Sequence, residues 1–228
     1  MKVAPVQHRG LSLIELLIGL ALGLFIVSTG LALLTSHLHE NRHLILEARL
    51  TQDLRAASEA LARDLRRAGH WGDAAAGLWH REAAARANPY QAMLPAAAAS
   101  DAVRLRYSRD AVENHQLDDN EEFGFRWRNQ GIDLLLGNGN WQALTDPGTL
   151  LVTALRLTPH TSEIVQTAPC ERSCPPAAPG SAECPPRLQV RLYSLEISAQ
   201  SPIDPRVQRS VSTSVRVRND AVVGQCPA

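Results

Sequence analysis

Hydrophobic and polar positions change their spacing along the 228-residue chain, and each change marks a new kind of element. From Leu16 to Leu34 no ionisable residue interrupts an apolar run of about 19 positions, enough for a helix to cross a hydrocarbon layer of ~30 Å. Beyond it Leu46, Leu50, Leu54, Ala57, Leu61 and Leu65 recur at intervals of three and four, which predicts one apolar stripe on a continuing helix. Charged residues occupy its other faces, and Glu59 to Arg63 is an i,i+4 pair in the favourable orientation. From Leu11 to Ala68 the pattern predicts a single helix of about 58 residues, roughly 87 Å long at 1.5 Å per residue. Its first half is apolar all round and its second half amphipathic, as expected of a helix half in lipid or a filament core and half on a sheet. Gly69 is its natural stop. Gly19 and Gly23 form a small-xxx-small pair that permits close helix approach.

Residues 72 to 100 are Ala-rich with Gly77, Pro89 and Pro95, and read as a surface connection with one short helical turn. The period then becomes two. Val103, Leu105 and Tyr107 predict a half-exposed strand, Phe123, Phe125 and Trp127 a second, and Ile132, Leu134 and Leu136 a third. An Asn138-Gly139-Asn140 turn leads to Trp141 and Leu144, and Thr149 to Thr158 is a longer apolar strand. Leu188 to Ile197 and Val207 to Val217 are expected to pair as a hairpin across Ser201-Pro202-Ile203-Asp204-Pro205. A long N-terminal helix followed by antiparallel strands is an α+β domain, with the helix packed on an antiparallel sheet.

The start of the chain adds chemistry to this pattern. A basic leader with Lys2 and Arg9 ends at Gly10, directly before the apolar helix, whereas a signal peptide has its small-residue cleavage site after the apolar core. Cutting between Gly10 and Leu11 would remove the leader and keep the helix. Glu15 is a carboxylate at the mouth of the apolar run, where an ionised Glu costs at least ~2.5 kcal/mol and needs a partner. A free amine on Leu11, one turn away, supplies a cation of matching depth. The positive-inside tendency leaves the N-terminus cytoplasmic and the bulk of the chain periplasmic.

Composition narrows the alternatives. With 23 basic and 23 acidic residues the formal net charge is zero, which gives no electrostatic support for nucleic-acid binding. The Arg63 to Arg67 run reads as a solvated helix face. Cys170, Cys174, Cys184 and Cys226 fit two disulfides in an oxidising compartment, with all three connectivities open. His39-Glu40-Asn41-Arg42-His43 matches H-E-x-x-H, which raises a membrane-anchored zinc hydrolase as an alternative of another class. No third ligand is evident beside it. The acidic run Asp118, Asp119, Asn120, Glu121, Glu122 lacks the spacing and glycine of a calcium loop and reads as a solvated hairpin tip.

The basic leader, Gly10, Leu11, Leu13-Ile14-Glu15 and apolar helix together resemble the class III leader of type IV prepilins and type II secretion pseudopilins. The resemblance implies cleavage between Gly10 and Leu11 by prepilin peptidase and N-methylation of Leu11, although such families usually have Phe at that position. It also implies that Glu15 pairs with a neighbouring subunit's amine during assembly. Glu40-Asn41-Arg42, Glu47-Ala48-Arg49-Leu50, Asp64-Leu65-Arg66-Arg67-Ala68-Gly69 and Trp71-Gly72 look like the PilW family of minor type IV pilins. So do Asp118 to Glu121 before Phe123-Gly124-Phe125, and Val217-Arg218-Asn219-Asp220 with Cys226-Pro227. This implies a pilin-like fold and a non-enzymatic subunit that takes part in priming pilus assembly, without cofactor or metal. The implied partners are other minor pilins and the major pilin, a PilY-type tip adhesin, prepilin peptidase, and the inner-membrane assembly platform. Membrane lipid would hold the helix before assembly. The J-type minor pseudopilins of type II secretion share the plan and are the nearest alternative. The expected organisation is a leader (1–10), a transmembrane and assembly helix (11–36), its amphipathic continuation (37–69), a connection (70–101) and a periplasmic β-sheet domain (102–228) with a Cys/Pro-rich loop (169–187).

Overall fold

The computed structural model describes residues 12–77, 86–166, 170, 172–174, 184–224 and 226. Their order is one α-helix, α1 (Leu13–Arg67, 55 residues), followed by eight strands. The chain forms two compact units, Met1–Leu46 and Glu47–Ala228.

In the first unit α1 is apolar and uncovered. Its most apolar 18-residue window has a mean hydropathy of 2.4 and none of that window is buried, so the helix is long and apolar enough to cross a membrane. The few polar side chains in the run bond inward. The hydroxyls of Ser28 and Thr29 donate to the carbonyl of Phe25, and that of Thr35 to Ala32, at 2.9 to 3.1 Å. A hydroxyl satisfied by its own helix backbone asks nothing of the surrounding medium, which suits hydrocarbon.

In the second unit the remainder of α1 carries the predicted stripe. Leu50, Leu54, Ala57, Leu61, Ala62 and Leu65 are all buried. The helix ends where Gly69 takes φ +74°, a left-handed conformation that suits glycine. The Gly69 N–H donates to Arg106 O at 2.7 Å. A Cβ at Gly69 would lie 2.9 Å from the Arg191 guanidinium, so the position is confined as well as left-handed.

The first sheet is an antiparallel meander of β1 (Ala102–Arg106), β2 (Glu122–Arg128), β3 (Gly131–Leu136) and β4 (Trp141–Ala143), in that order. The β1–β2 pairing is close enough that a Cβ on Gly124 would lie 2.3 Å from Val103 O, which excludes any side chain there. Beside it the rings of Tyr107 and Phe123 stack at 3.8 Å. The second sheet contains β5 (Leu151–Val165), β6 (Arg187–Gln200) and β7 (Gln208–Arg216) in that order, with β8 (Ala221–Val223) pairing on β6. β6 and β7 form the expected hairpin, with Leu192 opposite Arg216 through Gln200 opposite Gln208.

A single sheet was the expectation, and two are found. After β4 the Asp146-Pro147-Gly148 turn redirects the chain, and the sheets then meet only locally. Ser100 and Leu157 exchange two backbone hydrogen bonds of 2.8 and 2.9 Å, Val152 N–H donates to Gln130 O, and the Trp127 indole donates to Val152 O at 3.0 Å. β5 also runs past its expected end at Thr158 to Val165. Its last six residues are exposed or half-exposed, so alternation in hydropathy has no buried face to record there. Pro159 is tolerated because β5 is an edge strand. The connection ahead of β1 is not purely superficial: Tyr90 and Met93 are buried in it, although Ala74–Gly77 does form the expected short helical turn.

Leu61 is fully buried and sits at the centre of the α1 stripe. Leu61→Ala is expected to destabilise the second unit by about 2–5 kcal/mol, through lost transfer free energy plus a residual cavity. Leu38→Ala, on exposed helix, is expected to leave its unfolding unchanged. Thermal unfolding followed by near-UV circular dichroism distinguishes the two, and equal effects would contradict this placement of the core.

Candidate processing and assembly site

Gly10 and Leu11, the expected cleavage pair, lie outside the described residues. The residues that follow them are placed. The Ser12 N–H donates to Glu15 Oε2 at 3.0 Å, while the Ile14 N–H reaches Ser12 Oγ at 3.4 Å. Leu16 N–H closes the first turn on Ser12 O at 3.1 Å. Ser12-Leu13-Ile14-Glu15 is therefore a reciprocal cap of the S-x-x-E kind at the start of α1. Sequence reasoning singled out Glu15 for its charge and missed Ser12, although the three-residue spacing carries the signal. The carboxylate is held against the first free amide of the helix, where the helix dipole favours negative charge.

The other candidate chemistry falls differently. His39 and His43 are one turn apart on α1, but Glu40 faces His37 instead, with 4.0 Å between its carboxylate and His37 Nδ1. Among the described residues no three or more His, Cys, Asp or Glu side chains are grouped to hold a metal ion. The acidic run is not wholly a solvated tip. Glu121 is fully buried, and its carboxylate accepts N–H groups of Arg109 at 2.8 Å and Asp118 at 2.9 Å. It closes the turn ahead of β2, while Asp118 and Asp119 remain exposed. The cysteines pair as Cys170–Cys226 and Cys174–Cys184, one of the three connectivities open from sequence. The first bond ties the Cys/Pro-rich loop to the C-terminal tail across a separation of 56 residues.

That tail returns to α1. Arg218 N–H donates to Arg66 O at 3.2 Å, and the Asn219 amide donates to Ala68 O at 3.0 Å. Arg191, on β6, donates to Gln91 O at 2.5 Å and Asn219 O at 2.9 Å, so one guanidinium joins the connection, the sheet and the tail. Burial holds its pKa below the ordinary arginine value, opposed by Tyr193 and Asp220.

A second hub lies between β1 and β2 and reaches back to the connection. Glu113 accepts the N–H groups of Gly72 and His115, each at 2.9 Å, and the buried Tyr90 hydroxyl at 3.0 Å. Burial alone would raise the Glu113 pKa. The donors, His115 first, outweigh it and hold the carboxyl below its usual range. Burial and the hydrogen bond to Glu113 push the Tyr90 hydroxyl upward. On α1 burial pushes Asp64 up as well, against the pull of Arg67 and Arg63.

A family model described as prepilin peptidase-dependent protein B matches residues 43–217. No curated protein and no solved structure matches the chain.

Glu113 has the sign of a stabilising carboxylate: its folded pKa is lowered, so its contribution is complete above the ordinary carboxyl range and is lost as pH falls through the lowered value. Asp64 has the opposite sign, because protonation relieves its burial. Glu113→Gln is therefore expected to cost about 1–3 kcal/mol at neutral pH. That deficit should shrink in acid, as the wild-type carboxylate protonates through its lowered pKa. Unfolding free energies across the acid range test this, and a deficit independent of pH would assign Glu113 a purely steric role.

Proposed function

Since the chain belongs to the family of prepilin peptidase-dependent protein B, a pilin-like family, we propose that it is a minor pilin of the PilW type taking part in type IV pilus assembly. The observation that carries this reading is the start of α1: a basic leader ending at Gly10, the Ser12–Glu15 cap, and an uncovered apolar helix behind it. In this mechanism the precursor is stored in the inner membrane with its N-terminus cytoplasmic. Prepilin peptidase cuts between Gly10 and Leu11, and the new Leu11 amine is methylated. The helix then passes from lipid into a bundle of helices from other minor pilins and the major pilin, on the assembly platform and with a PilY-type tip adhesin.

Glu15 has a specific part in this scheme. Its carboxylate already contacts the N–H of Ser12, so the ammonium created on Leu11 is one peptide unit away. A carboxylate and an ammonium at the same depth can neutralise each other within one chain or across two. The across-chain pairing fixes the axial register between subunits, and the within-chain pairing keeps a lone subunit tolerable in lipid. Moving from bilayer to bundle keeps the apolar helix out of water throughout, so assembly never has to expose it.

The test is the intact mass of membrane-extracted protein made with and without prepilin peptidase. Loss of residues 1–10 together with the gain of one methyl group, dependent on the peptidase, is the expected result. An uncut chain in the presence of active peptidase would overturn the reading. Glu15→Ala should leave cleavage intact and impair piliation, and wild-type piliation in that variant would remove the register role of Glu15. Deleting the gene should abolish twitching. Loss of exoprotein release instead would move the chain to the type II secretion pseudopilins.

A further inference from the structure

A strand at the edge of a sheet presents unpaired N–H and C=O groups, and folds close such edges by pairing, proline, bulges or short length. The outer edge of β1 is taken by Leu94, which exchanges two backbone hydrogen bonds with Arg104 at 2.7 and 2.9 Å. β4 has three residues, too short a template for a further strand. On β5 the Val152 N–H goes to Gln130 and Leu157 exchanges both its groups with Ser100. Pro159 has no N–H to offer, and the register shifts between Val152 and Ala154. β7 has none of these devices. Val217 N–H donates to Arg191 O and Ser201 N–H to Val207 O, so the odd-numbered residues of β7 turn their backbone groups to β6. Ser210, Ser212 and Ser214 therefore point N–H and C=O away from β6, and no described residue bonds them. All three serines are exposed, and the β6–β7 register runs unbroken past them.

We propose that the β7 edge is the docking site for an extended segment of a different protein, added as an antiparallel strand. Open groups repeating every second residue, about 6.8 Å apart, are the template another strand satisfies. A second copy of this chain does not fit that role. Arg209 pairs with Glu47 at 2.7 Å and Arg218 N–H with Arg66 O at 3.2 Å, so β7 runs alongside α1 in the same direction. Glu47 and Arg66 are about 29 Å apart along the helix at 1.5 Å per residue. A two-fold pair of β7 strands would set the Glu47 ends of two copies far apart at opposite ends, at odds with chains held by their apolar runs in one layer. The outer edges of β1, β4 and β5 are closed, so none of them supplies the strand. The segment's chemistry follows from its neighbours, since residues opposite each other in an antiparallel pair share a face. On the core face it would lie beside Val211 and Thr213, both half-buried, where β-branched apolar side chains complete the covering. On the other face it would lie beside the three serines, which suit polar residues. β7 carries Arg209 and Arg216 and no acid, which favours a neutral or acidic segment over a basic one. The inference goes beyond the assembly role proposed above and uses its anchoring only to exclude a second copy.

The experiment titrates the full chain in non-ionic detergent with a fluorescent peptide as long as β7, read by anisotropy. In the peptide valine alternates with threonine, and glutamate replaces the central threonine. Two further peptides carry backbone N-methyl groups, one at the threonines, whose amides would face β7, the other at the valines, whose amides would face solvent. The plain and valine-methylated peptides are expected to bind alike. The threonine-methylated peptide should bind at least about tenfold more weakly, the equivalent of two or more lost hydrogen bonds. On the protein side, Ser212→Pro removes the outward N–H at the middle of the row and should weaken binding by a similar factor, whereas Ser212→Ala keeps it and should bind as wild type. Near-UV circular dichroism checks that both variants fold, and the methylated peptides decide the question on unaltered protein if Ser212→Pro does not. No binding of the plain peptide, equal binding of the two methylated peptides, or a greater loss at the valines would each overturn the proposal. Self-association in sedimentation velocity that Ser212→Pro removes would put a second copy on the edge and overturn it as well. Peptidase cleavage reads the other end of the chain, so the pilin reading and this docking site can each fail while the other stands.

Discussion

The last turn of α1 has carbonyls that no residue of the helix can satisfy, and their partners come from the far end of the chain. Gly69 turns the backbone away, which leaves room for Asn219 to reach Ala68 O and for Arg218 to reach Arg66 O. That arrangement requires the tail to lie against the helix, and β8 on β6 and the Cys170–Cys226 bond both hold it there. Arg191 extends the same tie to Gln91 in the connection. One guanidinium and one amide thus join three segments that are distant in sequence. The stabilisation from closing a loop of this length is about 4 kcal/mol in the chain-entropy account, comparable with one well-buried leucine of the α1 stripe.

At the other end of α1 the balance of magnitudes explains why a single carboxylate is tolerated. Each large apolar side chain from Leu13 to Leu34 gains ~1.5–3 kcal/mol on leaving water. One ionised glutamate costs at least ~2.5 kcal/mol in hydrocarbon. On these magnitudes the apolar run outweighs the one carboxylate, so Glu15 does not bar a helix of this composition from hydrocarbon. The Ser12 cap lowers that cost further by giving the carboxylate a donor inside its own chain.

The periodic parts of this architecture were legible in the sequence. The Leu50-to-Leu65 stripe, the alternation at Val103/Leu105 and Phe123/Phe125, and the hairpin after Ser201 each bury one face, and burial is what hydropathy records. Where an element buries little or pairs over three residues, the signal fails: the outer part of β5 and all of β8 are examples. Polar groups inside the fold were least legible. Glu121 reads as one more acid in an acidic run, because nothing in the sequence says that two backbone amides will turn to face it. Asn219 reads as a loop residue, since its partner lies about 150 positions earlier. Cysteine pairing was open for the same reason: connectivity depends on where the tail goes, and local composition does not determine that.

The placement of charge on α1 follows from the division between its halves. The apolar half admits one acid, at its mouth, and the sheet-facing stripe of the other half admits none. Charge is therefore confined to the solvent face of the amphipathic half, where it is free to be arranged along the axis. A random arrangement would favour i,i+4 pairing within the helix, yet Glu59 and Arg63 stand at that spacing without an ion pair. An exposed intrahelical pair is worth only a few tenths of a kcal/mol, so leaving it unformed costs the folded chain almost nothing. Arg49 and Arg55 flank Asp53, and Arg63 and Arg66 flank Asp64, so acids and bases alternate along this half, and exposed charges of this kind contribute little to folding. Their energetic consequence appears only when another surface covers them, removes water and shortens the distance between opposite charges.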